Sequence, residues 1–200
     1  MEGSIFLIED DDGLRELLSG YLTFNGWRVH SFDSAEGFRS VSLPLTPSVV
    51  LLDVQLPGIS GLELQKRRSE FCRSVPFIFI SGALSVSDSV SAMKGGALEF
   101  LVKPVDPQEL HCAVERALFL DAEFLAHDRR AAALEVQLES LSPREREVHA
   151  LLMRGANNTQ IMTKLGVSIH TAKQYKSEVL RKLEVTNLCE LIEACALTVG

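Results

Sequence analysis

The first half of the sequence carries acidic, hydroxyl and lysine residues, each at the end of a short apolar run. The runs with these residues are IFLI before Glu9 and Asp10, VVLLD ending in Asp53, FIFI before Ser81, and LEFLV before Lys103. Carboxylate oxygens are hard ligands that suit Mg²⁺, and Glu9 or Asp10 together with Asp53 could supply them. A carboxylate can also attack a phosphoryl group whose oxygens are held by a lysine and a hydroxyl. The residue types therefore point to Mg²⁺-assisted phosphoryl transfer onto Asp53.

Five apolar runs predict the strands that would bring these residues together. The runs lie at residues 4–9, 27–32, 48–53, 76–81 and 98–102, and they alternate with segments of helical period. Repeated strand and helix units of this kind favour an α/β fold with a parallel sheet and helices on both faces. Ligands of such sheets lie beyond the carboxyl ends of the strands, so we expect the reactive residues to meet there.

Two helices of this half have clear sequence signals. The helix after the first strand is expected to turn towards the core an apolar stripe made of Leu14, Leu17, Leu18, Tyr21 and Leu22. The last helix is expected to begin at Asp106-Pro107, with an aspartate cap and a proline in its first turn. Residues 107–139 predict either one long helix or a helix followed by a helical linker, because Gly and Pro are absent until Pro143.

The motifs occur in an order that resembles the receiver domain of bacterial two-component response regulators. The segments that carry the resemblance are IFLIEDDDGLRELL, VVLLDVQLPGISGLEL, FIFISG and AMKGGALEFLVKPVD. The resemblance as a whole extends over roughly residues 4–120. The resemblance implies a flavodoxin-like (βα)5 fold with a parallel five-stranded sheet, which we assign to residues 1–120. It also implies a function in phosphorylation-controlled transcription.

The resemblance assigns roles to individual residues of this domain. The implied Mg²⁺ ligands are Glu9, Asp10, Asp53 and the backbone carbonyl of Gln55. The implied catalytic residues are the phosphoacceptor Asp53, the hydroxyl of Ser81, and Lys103, which precedes a cis Pro104. The implied switch residues are Ser81 and Phe100.

Each feature has a simpler explanation when it is taken alone. An acidic run such as residues 9–12 is commonly a solvated loop, and a Lys-Pro pair is commonly a surface turn. Their joint occurrence at successive strand ends favours the functional interpretation, which predicts a regulator and not an enzyme. Two alternatives stay open. One is a receiver that controls DNA binding without phosphorylation, suggested by Glu9, and the other is a phosphohydrolase that uses Asp10 and Asp12 as a DxD pair.

The C-terminal third differs from the rest in its charge. Residues 1–120 carry 16 acids and 10 bases, whereas residues 139–200 carry 7 acids and 8 bases. Only the C-terminal part is therefore compatible with a phosphate backbone. We place a helical linker at residues 121–138 and a second domain at residues 139–200.

This second domain has the signals of consecutive helices and lacks strand-like alternation. Helices are expected to start after Ser142, Asn157 and Ser168, and Gly155 and Gly166 are expected to end two of them. Two of these helices meet across a three-residue turn, which is the spacing of a helix-turn-helix. We predict an all-α domain of four helices that contains this motif.

The segment LSPREREVHALLMRGANNTQIMTKLGVSIHTAKQYKSEVLRKLEV resembles the LuxR-type DNA-binding domain of FixJ- and NarL-like regulators. The resemblance implies contacts with base edges from Lys173, Gln174 and Ser177. It implies contacts mainly with phosphates from Asn157, Thr159, Ser168, Thr171 and Lys176. One domain of this low charge would bind weakly, so we expect a dimer on two half-sites.

The remaining expectations concern partners and location. The apolar runs are too short to span a bilayer and the N-terminus has no long apolar export signal, so we expect a cytoplasmic protein without a membrane partner. The resemblance implies a sensor histidine kinase as phosphoryl donor and double-stranded DNA as target. It also implies a homodimer in the phosphorylated state.

Overall fold

The structure is a computed structural model that describes residues 2–71, 73–82 and 86–196. The chain divides into two compact units, with the boundary between Leu125 and Ala126. Each unit has a hydrophobic core of its own. Within the described residues, no helix combines the length and the apolar character that are needed to cross a membrane.

The described strands of the first unit form one parallel sheet. They are β1 (Ser4–Ile8), β2 (Arg28–Phe32), β3 (Ser48–Asp53), β4 (Phe77–Ser81) and β5 (Glu99–Val102). Their order in the sheet is β2-β1-β3-β4-β5, and every neighbouring pair is parallel. Each strand lies within the apolar run that predicted it, and the predicted five-stranded parallel sheet is confirmed.

Helices cover both faces of this sheet. They are α1 (Asp12–Phe24), α2 (Ala35–Arg39), α3 (Gly61–Lys66) with a 3₁₀ turn after it (Arg68–Glu70), α4 (Val86–Lys94) and α5 (Pro107–Glu139). Along β1, Ile5 and Leu7 pack on the face covered by α1 and α5, whereas Phe6 and Ile8 pack on the face covered by α2, α3 and α4. Burial on both faces explains why the three central strands, β1, β3 and β4, read as continuous apolar runs.

The predicted core stripe of α1 is correct in part. Leu18 and Leu22 are buried, and Leu14 and Tyr21 pack against the same core. The prediction is wrong for Leu17, whose side chain is 69% exposed. The stripe is narrower than predicted because only the positions four, seven and eight residues after Leu14 face the sheet.

Helix α5 begins where the sequence places it and continues to Glu139 as a single helix. The Asp106 carboxylate accepts hydrogen bonds from the backbone N–H groups of Gln108 and Glu109, at 2.8 and 3.0 Å. The predicted aspartate cap is thereby confirmed. Of the two sequence possibilities for residues 107–139, the structure has the continuous helix.

A buried ion pair holds α5 against the start of β3. The Asp121 carboxylate is fully buried and accepts two hydrogen bonds from the Arg73 guanidinium, at 2.7 and 2.9 Å, and one from the backbone N–H of Ser48, at 2.7 Å. Arg73 also donates to the carbonyl oxygens of Pro44 and Thr46. The network leaves no local pattern in the sequence, because Arg73 and Asp121 lie 48 residues apart.

The described part of the second unit is helical, as predicted. Its helices after α5 are α6 (Pro143–Met153), α7 (Asn158–Leu165), α8 (Ile169–Lys182) and α9 (Leu188–Ala196). They bury a core to which Val148, Ile161, Val179 and Leu191 contribute fully buried side chains. The predicted all-α domain of four helices is confirmed for the residues up to 196.

The helix starts of this unit match their sequence signals. Ser142 and Glu145 form a reciprocal capping box at α6, and Asn157 and Gln160 form another at α7. Gly166 ends α7 in the left-handed conformation, with a φ of 64°, which a glycine adopts without steric cost. The three residues between α7 and α8 form the predicted short turn.

Candidate functional site

The carboxyl ends of four strands surround the candidate site of the first unit. Glu9 follows β1, Asp53 is the last residue of β3, Ser81 is the last residue of β4, and Lys103 follows β5. The neighbouring positions of β1 and β3 bring Glu9 and Asp53 to the same part of the sheet edge. Lys103 reaches past the end of β4, which lies between β3 and β5, to contact both carboxylates.

Asp53 is held on both sides of its carboxylate. Its Oδ1 accepts a hydrogen bond of 2.8 Å from the backbone N–H of Gln55, and its Oδ2 lies 2.5 Å from Lys103 Nζ. The residue is 7% exposed, so it is shielded but not closed off from solvent. The role of the Gln55 carbonyl as a metal ligand stays a prediction. The bonds orient the carboxylate and leave it beside a positive charge, which suits an acceptor of an anionic group.

Glu9 and Lys103 form the most buried ion pair of this site. Lys103 Nζ lies 2.9 Å from Glu9 Oε1 and 2.8 Å from Oε2, and Glu9 is 1% exposed. Burial raises the pKa of the Glu9 carboxyl, although the Lys103 ammonium opposes this shift. Burial alone would lower the pKa of Lys103, but its hydrogen bonds to Asp53 and Glu9 outweigh that effect and raise it. Lys103 therefore stays protonated at neutral pH.

Three carboxylates form a cluster that could hold a metal ion. Ligand oxygens of Glu9, Asp10 and Asp53 lie within 4.8 Å of one another. Glu9 Oε2 is buried without a well-oriented hydrogen bond, despite its short distance to Lys103 Nζ. Buried acceptors are nearly always satisfied, and a cation placed among the three groups would satisfy this one. The oxygen-only donor set fits a hard divalent cation such as Mg²⁺.

Arg15 holds the loop that carries two of these acids. Its Nη1 donates to the carbonyl oxygens of Glu9 and Asp10, at 2.7 and 3.4 Å, and its Nη2 pairs with the carboxylate of Asp12. Asp11 caps α1 by accepting a hydrogen bond from the backbone N–H of Leu14. The role of Arg15 is not visible in the sequence, because an arginine in the first turns of a helix is common and its bonds to backbone carbonyls leave no pattern.

The two predicted switch residues lie on adjacent strands. Ser81 is buried at the end of β4, and its carbonyl accepts a hydrogen bond of 2.9 Å from the backbone N–H of Lys103. Phe100 is partly buried in β5 and stacks on Phe79, with ring centroids 6.3 Å apart. The Lys103-Pro104 peptide bond is cis, as the resemblance implied. The structure thus describes one arrangement of Phe100, packed against the sheet.

The second unit presents the predicted DNA-contacting residues on α7, α8 and their caps. Lys173, Gln174 and Ser177 are exposed on α8, whereas Ala172 and Val179 of the same helix are buried. An amphipathic α8 of this kind can turn its polar side to a groove of DNA.

Two of the residues predicted to contact phosphates, Asn157 and Ser168, also cap helices. The Asn157 side chain accepts a hydrogen bond from the backbone N–H of Gln160, and Ser168 Oγ accepts one from the backbone N–H of Thr171. Thr159 is exposed on α7, and Lys176 is half-buried on α8. The structure brings these residues together on the helix-turn-helix, but their individual contacts with DNA stay predictions.

Two family models match the chain, one in each unit. The model described as "Response regulator receiver domain" matches residues 5–115, which is more than half of the 200 residues. The model described as "Bacterial regulatory proteins, luxR family" matches residues 139–195. The first match contains the carboxylate cluster, and the second contains the helix-turn-helix.

Curated relatives match the chain across both units. "Nodulation protein W" of Bradyrhizobium diazoefficiens is 37% identical over 188 residues, which cover 94% of this chain and 83% of the relative. "Transcriptional regulatory protein FixJ" of Azorhizobium caulinodans is 34% identical over 193 residues, with coverage of 96% and 92%.

Solved structures are similar to the whole chain as well. The response regulator StyR gives a TM-score of 0.83 at 34% identity, with 98% of this chain and 99% of that chain covered. Full-length FixJ from B. japonicum gives a TM-score of 0.58 at 31% identity, with coverage of 98% and 97%.

The chain therefore belongs to the two-component response regulators that combine a receiver domain with a LuxR-type helix-turn-helix domain. This family consists of DNA-binding transcriptional regulators and not of enzymes, so the phosphohydrolase alternative has no support. The alternative of a receiver that works without phosphorylation is not supported either. The predicted fold class and family are confirmed.

Proposed function

We propose that Asp53 accepts a phosphoryl group from a sensor histidine kinase and that this phosphorylation controls how the C-terminal domain binds DNA. The observation that carries the proposal is the position of the Asp53 carboxylate, 2.5 Å from the Lys103 ammonium and within the cluster formed with Glu9 and Asp10. A carboxylate that contacts a cation and belongs to a cluster of metal-ligand acids suits phosphoryl transfer, in which positioning and charge neutralisation dominate.

In the proposed reaction, an Asp53 oxygen forms a bond to phosphorus while the bond between phosphorus and the donor's histidine nitrogen breaks. The electron pair of the broken bond stays on that nitrogen. Glu9, Asp10, Asp53 and the backbone carbonyl of Gln55 would hold Mg²⁺, which neutralises charge on the phosphoryl oxygens when it is bound. Lys103 supplies a second positive charge to those oxygens, and Asp53 is kept in orientation by the Gln55 N–H.

We assign the response to phosphorylation to Ser81 and Phe100. The Ser81 hydroxyl moves towards the phosphoryl oxygens, and the space it leaves admits Phe100, whose ring gives up its stacking on Phe79. Such a change biases a two-state equilibrium of the surface formed by α4, β5 and α5. The new surface favours a homodimer or releases the DNA-binding domain.

The output of the proposed switch is DNA binding by α8. Lys173, Gln174 and Ser177 would contact base edges, and a dimer would place two such helices on two half-sites.

We assign residues 1–120 to the receiver domain and residues 121–138 to a linker within α5. We also propose a cytoplasmic location, where the DNA target and the kinase donor of this proposal would be available.

The experiment that tests this function compares the protein with and without Mg²⁺ and beryllofluoride, a mimic of the phosphoryl group. Light scattering measures the mass in solution, and parallel binding to DNA selected from a random pool measures the output. We expect both the dimer fraction and the DNA affinity to rise only when both reagents are present, and Asp53→Asn to abolish the response. An equal response of wild type and Asp53→Asn would contradict the proposal.

A further inference from the structure

The basic residues of the second unit divide into two sets. Residues 139–200 contain eight lysines and arginines, and all eight lie in the described part. Four of them have side-chain partners: Arg144 pairs with Glu147, Arg146 donates to the carbonyl of Glu139, Arg181 pairs with Glu178, and Lys182 pairs with Glu145. Three of these four cations are paired with carboxylates, and the Arg146 guanidinium is held by a backbone carbonyl.

The other four basic side chains have no ion pair and no hydrogen bond among the described residues. They are Arg154, Lys164, Lys173 and Lys176. Lys173 and Lys176 belong to the predicted recognition helix. Arg154 and Lys164 do not, because Arg154 follows α6 and Lys164 lies in the last turn of α7. Their free charges therefore need a separate explanation.

Arg154 and Lys164 line the same groove. The groove has a volume of about 420 Å³ and lies between the end of α6 and the outer face of α7. Thr159, Gln160 and Thr163 also line it, and carboxylates are absent from its lining. The Thr163 hydroxyl donates to the carbonyl of Thr159, which leaves one hydroxyl, one amide and two cations. These are donors that proteins commonly use for phosphate oxygens.

Three acids of the unit lie at a different groove, which also contains the cation Arg130. Glu184, Glu190 and Glu193 line this second groove, formed by the end of α5 with α9 and the turn before it. The net charge of +1 in residues 139–200 is therefore spread unevenly, because one groove is lined by cations without acids and the other by three acids with one cation. An anionic partner is therefore attracted more strongly to the groove of Arg154 and Lys164 than to the other groove.

A local role in stability does not account for the groove. Both Arg154 and Lys164 lie near the C-terminal ends of helices, where a cation interacts favourably with the helix dipole. That effect requires neither their convergence on one groove nor the absence of acids from its lining. Thr159, a predicted phosphate contact, lies in the same groove and connects it with the predicted DNA interface.

We infer that Arg154 and Lys164 bind DNA phosphates in this groove and so extend the DNA interface from α8 to the side formed by α6 and α7. The inference rests on the proposed DNA binding and adds a contact that carries no sequence information. It also explains how a domain of low net charge binds DNA, since its unpaired cations are concentrated where the backbone passes.

The test measures the salt dependence of DNA binding by the full-length protein, with Mg²⁺ and beryllofluoride held constant. The probes are a duplex selected from a random pool by the wild-type protein and an unrelated duplex of equal length. Fluorescence anisotropy gives the dissociation constants between about 50 and 200 mM salt. Arg154→Gln and Lys164→Gln are each expected to reduce the slope of log affinity against log salt by about 0.9 per bound protomer. Both are expected to weaken the two duplexes by the same factor.

The matched controls remove the same charge from cations that are already paired. Arg144→Gln and Arg181→Gln should leave the slope unchanged, and Lys164→Arg should retain the wild-type slope. The inference is overturned if Arg154→Gln and Lys164→Gln give the slopes of these controls, or if they weaken only the selected duplex. If Lys176→Gln alone lowers the slope, the inference fails and the proposed DNA binding stands. If the wild-type protein binds neither duplex, the proposed function fails as well.

Discussion

Lys103 Nζ lies 2.9 Å from Glu9 Oε1, so the lysine that contacts the phosphoacceptor also neutralises one of the predicted metal ligands. The ammonium is shared between Glu9 and Asp53, and it balances part of the charge of the acidic cluster. A bound Mg²⁺ would add a second cation to the same carboxylates. The affinity for Mg²⁺ should therefore depend on how many negative charges the cluster retains.

Glu9→Gln is expected to weaken Mg²⁺ binding. The substitution keeps an oxygen at the position of the side chain and removes one negative charge, which should lower the affinity by about tenfold or more. Isothermal titration calorimetry with MgCl₂ measures the dissociation constant directly. Glu16→Gln, which removes an exposed acid of α1, is the matched control and should retain the wild-type affinity. Equal affinities for the two variants would remove Glu9 from the site.

Ser81→Ala is expected to separate phosphorylation from the response. Asp53 and Lys103 stay in place, so the variant should still take up a phosphoryl group from acetyl phosphate. The methyl group cannot hydrogen-bond to the phosphoryl oxygens, so the phosphorylated variant should not gain dimer or DNA affinity. Analytical ultracentrifugation of phosphorylated protein measures the dimer fraction. Ser69→Ala, at an exposed site, should dimerise as the wild type does, and normal dimerisation of Ser81→Ala would refute this role.

Asp121→Asn is expected to destabilise the first unit. The change leaves the Arg73 guanidinium, with a side chain 11% exposed, without a compensating charge. Removal of one partner of a buried pair typically costs about 3–5 kcal/mol. Trp27, the only tryptophan, is buried in this unit, so its fluorescence during urea unfolding reports the loss.

The control for this prediction is the exposed ion pair of Arg39 and Glu70. Surface pairs contribute about 0–1 kcal/mol, so Arg39→Gln should change the free energy of unfolding only slightly. A loss for Asp121→Asn no larger than that for Arg39→Gln would show that the buried network does not stabilise α5 on the receiver.

His149 is expected to make the second unit less stable in acid. Burial lowers the pKa of its imidazole below the usual 6.5, and its Nε2 lies 3.6 Å from Cys195 Sγ. The unfolded chain then binds more protons than the folded one below about pH 6.5, so stability from His149 is complete above that pH and declines as the pH falls. Between pH 7.5 and 5.5, the free energy of unfolding of the wild type should therefore decrease more than that of His149→Gln. This range extends about one pH unit to either side of the usual histidine pKa. Urea unfolding followed by circular dichroism measures both, and parallel pH profiles would contradict the prediction.

Local sequence patterns predict most of the fold. Continuous apolar runs predict the three central strands because these strands are buried on both faces of the parallel sheet. The capping boxes of Ser142 and Asn157 are visible in the sequence because each is completed within three residues. The exposure of Leu17 is not predicted by such patterns, since it depends on the rotation of α1 about its axis relative to the sheet.

Contacts between distant residues are the part of the site that the sequence does not predict. Glu9, Asp53 and Lys103 are recognisable as strand-end residues. The contact of the Lys103 ammonium with both carboxylates, however, depends on the order of the strands in the sheet. The bonds from Arg15 to the carbonyls of the acidic loop depend on the path of the backbone, which residue types do not encode.

Phosphorylation of Asp53 is the central claim, and intact-mass spectrometry tests it most directly. Wild-type protein is incubated with acetyl phosphate and Mg²⁺, next to Asp53→Asn and the control Asp33→Asn, which changes an exposed acid. The account predicts a mass increase of one phosphoryl group for wild type and Asp33→Asn and no increase for Asp53→Asn. A mass increase of Asp53→Asn equal to that of wild type would contradict it.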